Sequence, residues 1–400
     1  MKILFISDSY FPHINGVYYF VCRIGSMLQD AGHQVAIIAP SSSTSSSIKK
    51  IDGLDVYGVP SVSVIYYPTI RIPVPLFLKS RVRTIIKQFN PDIIHLQDHS
   101  LICNAAIQLN RKLKIPIIGT NHFMAENITG FLRRQRWKQR LETVLWKGFS
   151  KAYNQVKLVT TPSETGVNII RSKLKVDTIA ISSGINLDKF NPYGDTSDIK
   201  RKYGIPNKPI LLSVGRLDPE KHVEEILQAV AIAIKNIDFS FVVVGKGTRK
   251  IALEQLAHKL GISKHVLFTG FVPDEDLPYF YKLSRCFIIA STAELLSLTT
   301  LQAMASAKPI IAVNAGALPE LVRDGKNGYL YNEGDISNLV QCIEEIISSD
   351  ELYIHMGEKS LEYVQQHDIY KTLAAFEKLY ENNMSQPPHV NLVHREEYAF

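Results

Sequence analysis

A lone acid, Glu294, stands in the otherwise uncharged run Ser291-Thr292-Ala293-Glu294-Leu295-Leu296-Ser297-Leu298. A helix-like stretch follows over 299–306, Pro309 closes it, and Ile310-Ile311-Ala312-Val313 reads as a buried strand. Such a loop-to-helix junction turns free backbone N–H groups and the positive end of the helix dipole outward, which suits a phosphate. An acid just ahead of it is poorly placed to hold an anion and better placed to touch what the phosphate carries. The plainer reading of Glu294 is a surface or capping residue. Arg216 and Lys221 occupy the loop after the apolar run 209–214; they could offset anionic charge or simply be solvated. His122 follows the strand-like run 115–119 and is either a structural hydrogen-bonder or a group facing a ligand. None of these residues is assigned to a metal.

Strands, helices and turns must position those residues. Residues 3–7 are a short apolar run, Asp8 to Pro12 turn outward, a helix-like pattern covers about 18–29, and 34–39 is the next strand. This is the β-loop-α-β unit of a doubly wound α/β domain. The pattern restarts at Pro209-Ile210-Leu211-Leu212-Ser213-Val214-Gly215, so the chain holds two similar α/β units, and 400 residues suffice for two cores. Apolar content of 46% with 21% charged residues describes a soluble globular protein. Cys22, Cys103, Cys286 and Cys342 lie far apart and form no metal-type pairs, which fits a reduced, cytoplasmic setting. No apolar run is long enough to span a bilayer, and Asp8 interrupts the first strand too early for a signal peptide. The serine-rich run 41–47 is expected to be a mobile loop. Pro68, Pro73 and Pro75 keep 62–78 from being a regular helix, and 385–400 is expected to be disordered or peripheral.

Taken in order, these segments resemble the retaining glycosyltransferases of the GT-B fold, the large family 4 type, over roughly residues 2–383. That family shows a glutamate, seven residues and a second glutamate, then an Ala-Met-Ala run. Glu294 and Ala303-Met304-Ala305 fit; Gln302 stands where the second glutamate is usual, and Ser297 replaces a local glycine. Pro91-Asp92-Ile93-Ile94-His95 resembles the family's Pro-Asp-x-x-His strand, and Asp324-Gly325-Lys326-Asn327-Gly328 its Asp-Gly-x-x-Gly turn. The run from Ser183 to Pro192 resembles the crossover between domains, departing at Ser183 and Asn186.

The resemblance implies two Rossmann-like α/β domains facing a cleft. Residues 1–188 would form the acceptor-side domain, 189–367 the nucleotide-sugar-binding domain, 368–384 a helix crossing back to the first, and 385–400 a tail. Arg216 and Lys221 would grip the donor pyrophosphate and do the work of a metal, so no metal or other cofactor is expected. Glu294 would hold sugar hydroxyls, the N–H groups near Ser297 and Leu298 would cap the sugar or phosphate, and His122 would shape the acceptor side. Gln302 would meet the ribose with one acceptor and one donor, where a carboxylate offers only acceptors. Asn15-Gly16 stands for a Gly-Gly pair near the donor phosphates. Gly215 opens the basic loop, Gly245 begins a Gly-x-Gly turn, and Phe271-Val272 end the strand that lies against the base.

The form Asn15-Gly16-Val17 resembles the branch that glycosylates diacylglycerol or phosphatidylinositol. Residues 1–190 carry 24 Lys+Arg against 11 Asp+Glu, whereas 191–400 carry 21 against 27, so the overall +7 hides a cationic first half suited to an anionic partner. Residues 131–153 interleave seven cations with Trp137, Trp146 and other apolar residues, as an interfacial helix on anionic lipid does. The same composition also suits a helix whose apolar face packs on the core. Nucleic acid is not expected, since no RNA- or DNA-binding motif accompanies the cations. Neither unit shows the full Gly-x-Gly-x-x-Gly of a dinucleotide oxidoreductase. The expectation is transfer of a hexose from a nucleotide-sugar such as UDP-glucose to a membrane lipid such as diacylglycerol. The enzyme would be cytoplasmic, or peripheral on the inner face of the membrane. The alternatives are a soluble acceptor (a sugar, an inositol phosphate or a polysaccharide unit) and a non-catalytic nucleotide-sugar-binding protein.

Overall fold

A computed structural model describes residues 1–65, 67–125 and 135–384. The chain divides into two compact units, the first made of 1–125, 135–182 and 372–384, the second of 183–371. The tail 385–400 and residues 131–134 of the cationic stretch lie outside the described residues.

The first unit holds β1 (Lys2–Ile6), β2 (Gln34–Pro40), β3 (Ser47–Ile51), β4 (Leu54–Val59), β5 (Ser61–Val64), β6 (Tyr67–Pro73), β7 (Ile93–Leu96), β8 (Ile117–Thr120), β9 (Leu158–Thr161) and β10 (Asp177–Ala180). Eight of them form one sheet in the order β10-β9-β8-β7-β1-β2-β4-β3, parallel except for the edge pair β3–β4. Its central strands are buried on both faces, which is why they read as continuous apolar runs without alternation. The edge hairpin turns through Asp52-Gly53, both at positive φ, the two-residue turn that matches strand twist. In the serine-rich run only Ser41 is buried, its hydroxyl 3.2 Å from Ser43 Oγ and 3.3 Å from Ser47 Oγ; Ser42 to Ser46 are exposed, and Ser47 already belongs to β3.

Between the strands run helices Gly16–Asp30, Leu78–Phe89, Leu101–Leu113 and Gln135–Tyr153. The last buries Phe149, Ala152 and Tyr153 and turns Trp137 and Val144 outward with Arg136, Arg140, Lys147 and Lys151. One face of this helix thus packs on the core, and the other is an exposed cationic face. The helix Ile369–Met384 belongs to the first unit from Thr372 onward. There Tyr380 Oη lies 2.9 Å from His95 Nδ1, Phe376 packs on the His95 and Phe20 rings, and Lys157 Nζ donates to the Asn383 carbonyl at 2.6 Å.

The second unit holds β11 (Ile210–Val214), β12 (Ser240–Val244), β13 (Val266–Gly270), β14 (Cys286–Ile289), β15 (Ile310–Val313) and β16 (Gly328–Tyr331). They form one parallel sheet in the order β13-β12-β11-β14-β15-β16, the arrangement of a Rossmann domain. Helices on its faces bury one continuous core from Ile185 to Val364.

Candidate active site

In the second unit the strand order reverses between β11 and β14. Open α/β sheets bind ligands at the carboxyl ends of strands beside such a reversal, because the two following loops diverge there. The loop after β11 carries Gly215, Arg216 and Lys221; the loop after β14 carries Ser291 and Glu294. The structure brings the last of these together. Lys221 Nζ donates to Glu294 Oε1 at 2.6 Å and to Ser291 Oγ at 3.3 Å, with both charged side chains mostly buried. Lys221 ends a 3₁₀ turn, Pro219–Lys221, ahead of the helix Val223–Ala233. The Glu294 carbonyl accepts the Ala317 N–H at 3.0 Å. A Cβ at Gly316, where φ is +56°, would come within 2.8 Å of that same carbonyl oxygen, so Gly316 lets the next loop support the acid.

Arg216 is placed differently. Its guanidinium is 69% exposed and donates to Asp218 Oδ2 at 2.6 Å and Glu220 Oε1 at 2.8 Å. A planar fork with five donors takes the nearest carboxylates. Exposed pairs of this kind are worth little and exchange readily for another anion. Asp218 ties the basic loop to the next turn by accepting from Thr248 N at 3.1 Å and Thr248 Oγ1 at 2.9 Å. That turn is held tightly: at Gly245, φ +144°, a Cβ would lie 1.8 Å from the Gly215 carbonyl oxygen. Beyond β13, Phe271 is exposed beneath Lys246 Nζ at 5.4 Å from the ring centre, while Val272 is buried.

The helix Leu298–Ala305 begins one turn after Glu294. The Ser297 hydroxyl caps it by accepting from Thr300 N at 3.2 Å, leaving the N–H groups of Leu298 and Thr299 uncapped by that side chain. Gln302 is oriented from behind: its Oε1 accepts from the phenol of buried Tyr281 at 2.7 Å.

The first unit has its own reversal, between β7 and β1. Asp8 follows β1, Gln97 and Asp98 follow β7, and Asn121 and His122 follow β8. His122 Nε2 lies 3.0 Å from Gln97 Oε1, and its ring packs on Phe20 at 5.0 Å. Burial pushes His122 down to about 4, so the imidazole is neutral near pH 7. A neutral ring donating from Nε2 to Gln97 keeps its lone pair on Nδ1. Asn15 caps the helix Gly16–Asp30 through Oδ1, which accepts from Tyr18 N at 3.0 Å, and donates from Nδ2 to Ser9 Oγ. A Cβ on Gly16 would meet nothing within 4 Å.

Around His122, Asp8 Oδ1, Gln97 Nε2, His99 Nδ1 and Asn121 Nδ2 are buried without a hydrogen-bond partner among the described residues. Buried polar atoms are ordinarily paired, with protein, water or a ligand. Sequence reasoning missed Asp8, Gln97 and Asn121; their only signal was a polar residue directly after an apolar strand. Asp8, Asp98 and Cys103 also offer ligand atoms within 4.8 Å of one another. Asp8 and Asp98 accept the N–H groups of Ile102 and Ser100 at the start of a helix. Burial and the neighbouring Asp98 raise the Asp8 carboxyl well above the usual carboxylate range.

Residues 14–189 match the family model described as Glycosyltransferase Family 4, and residues 195–363 match that of Glycosyl transferases group 1. The alpha-monoglucosyldiacylglycerol synthase of Streptococcus pneumoniae is 29% identical over 94% of this chain and 85% of its own. A GDP-mannose-dependent alpha-mannosyltransferase of Corynebacterium glutamicum is 28% identical over 89% of this chain and 83% of its own. Among solved structures, HepE of Anabaena in complex with UDP-glucose superposes with a TM-score of 0.74 at 18% identity, covering 96% of this chain and all of that one.

Proposed function

Since the chain belongs to the GT-B glycosyltransferases of the family 4 type, we propose that it moves a hexose, with retention, from UDP-hexose to a membrane lipid such as diacylglycerol. The observation that carries the reading is the Lys221–Glu294 pair at the reversal of the Rossmann sheet. There a cation and a sugar-hydroxyl acceptor stand side by side at the place for a nucleotide-sugar. As the bond from the anomeric carbon to the phosphate oxygen lengthens, charge grows on the diphosphate. Lys221, with the exposed Arg216 released from Asp218 and Glu220, offsets that charge, and no metal is required. The acceptor hydroxyl attacks the same face of the anomeric carbon, and its proton passes to the departing phosphate oxygen. Glu294 accepts hydrogen bonds from sugar hydroxyls, the N–H groups of Leu298 and Thr299 receive sugar or phosphate oxygens, and Gln302 meets the ribose. Gly215, Gly245 and Phe271-Val272 give the nucleotide a backbone wall. Neutral His122, with Gln97 and Asn121, orients the acceptor.

The lipid acceptor is supported by the synthase relative and by the outward face of Gln135–Tyr153, where exposed Trp137 lies beside Arg136, Arg140, Lys147 and Lys151. Among the described residues no helix is long and apolar enough to cross a membrane, so contact with lipid would be made at its surface. The mannosyltransferase relative favours a second donor, GDP-mannose. The test is to offer UDP-glucose and GDP-mannose separately, with diacylglycerol in mixed micelles containing anionic lipid, in the presence of EDTA. Glucosyldiacylglycerol is the expected product. Mannosyl lipid alone would replace the donor, and transfer only to soluble sugars would remove the lipid.

A further inference from the structure

The antiparallel ribbon β5–β6 is inside out. Val62 pairs with Ile72, Ser61 with Pro73, and Ser63 with Arg71. On a half-buried ribbon the apolar side of the alternation faces the core. Here Ser61 and Pro73 are buried, and Arg71 folds inward to donate to the Ser61 carbonyl at 2.7 Å and its hydroxyl at 3.0 Å. Val62 and Ile72, each 47% exposed, face solvent with Ile70, and Ile65 near the turn is 88% exposed. Leu76 and Phe77 follow at 70% each, Phe77 held at φ +61° immediately before the helix Leu78–Phe89. A contiguous apolar edge of this kind marks an interaction surface.

The charge around it selects the partner. Between Asp55 and Asp92 the sequence has no acid and five cations, Arg71, Lys79, Arg81, Arg83 and Lys87. The last four are exposed on Leu78–Phe89, whose Leu78, Val82 and Ile86 are buried. A second copy of this chain would bring cations against cations, which opposes self-association. A bilayer with anionic headgroups offers both an apolar depth and the opposite charge. We propose that the ribbon β5–β6, with Leu76 and Phe77, inserts into an anionic bilayer while the cations of Leu78–Phe89 bind its headgroups. This surface is separate in sequence from Gln135–Tyr153, and it deepens the lipid-acceptor reading on which it rests.

The test uses the full chain and vesicles of phosphatidylcholine and phosphatidylglycerol in a two-to-one ratio. The triple variant Val62→Thr, Ile65→Thr, Ile72→Thr keeps strand-compatible residues at exposed positions. It is expected to float with vesicles about tenfold less than wild type. It should transfer hexose to bilayer diacylglycerol correspondingly more slowly, with unchanged transfer to micellar dihexanoylglycerol. Ile65→Trp is expected to float more while keeping the wild-type melting midpoint, which separates the gain from misfolding. Equal flotation of wild type and triple variant would overturn the proposal. So would a wild-type dimer that the triple variant dissociates without any vesicle binding, or equal loss on bilayer and micellar acceptors. If the flotation pattern holds while wild type makes no glycolipid, the surface stands and the lipid-acceptor reading falls. If glycolipid forms and the variants float alike, the reverse holds.

Discussion

At the residue scale the account rests on Lys221 and Glu294, 2.6 Å apart. Removing either deletes a group that meets the substrate where charge or sugar hydroxyls must be held. Glu294→Ala and Lys221→Ala are each expected to lower kcat by about 10²–10³. The double variant should lose far less than the product of the two, since each group orients the other. Strict additivity in steady-state kinetics would contradict the pairing. Gln302 makes the second prediction. Its Oε1 is committed to Tyr281, so the amide presents its N–H₂ forward. In Gln302→Glu one carboxylate oxygen keeps the Tyr281 bond and the other is free for a ribose hydroxyl. UDP should bind about fivefold tighter, near 1 kcal/mol, by calorimetry; an unchanged or weaker Kd would count against that geometry. Glu294 and Lys221 were named as candidates through the family resemblance, and their contact with each other was not visible in the sequence. Asp8, Gln97 and Asn121 were not named, since only the sheet order places the ends of β1, β7 and β8 side by side.

At the element scale, the close backbone approach of the turn after β12 to the loop after β11 fixes the wall proposed for the nucleotide. Gly245 combines positive φ with a carbonyl oxygen 1.8 Å from any Cβ. Gly245→Ala is therefore expected to cost at least about 2 kcal/mol and to weaken UDP binding, both from displacement of Gly215; a thermal melt and a UDP titration matching wild type would contradict it. Most parallel strands of both sheets were readable as short apolar runs, because they are buried on both faces, whereas β3 and β4 at the sheet edge were not. Nor was the ribbon β5–β6: its prolines excluded a regular helix without marking strands, and its exposed face is the apolar one. The Asp52-Gly53 hairpin carried a standard turn signal inside a segment overshadowed by the serine run before it.

At the scale of the whole molecule, several imidazoles are buried neutral. Burial pushes His95 down to about 3, and His122 and His367 to about 4. Between those values and the unfolded value near 6.5, the unfolded chain binds protons that the native chain does not. Stability contributed by the neutral rings is thus full above pH 6.5 and falls as the pH drops toward 4. Each group contributes up to about 1.4 kcal/mol per pH unit in that window. The melting midpoint should fall on acidification from pH 6.5, and less steeply in His95→Gln, whose side chain does not titrate. Parallel slopes would contradict the assignment. With two units, separate transitions are to be expected, so midpoints are the proper readout. The doubled β-loop-α-β pattern made both units legible. The return of residues 372–384 to the first unit depends on Phe376 and Tyr380 meeting His95, contacts that span more than 280 residues.

The most direct measurement is transfer of labelled glucose from UDP-glucose to diacylglycerol by wild type and by Glu294→Ala, followed by the anomeric configuration of the product lipid. The account predicts an α-glucosyl lipid from wild type and about a hundredfold or greater loss in the variant. A β-linked product, or a variant as active as wild type, would contradict it.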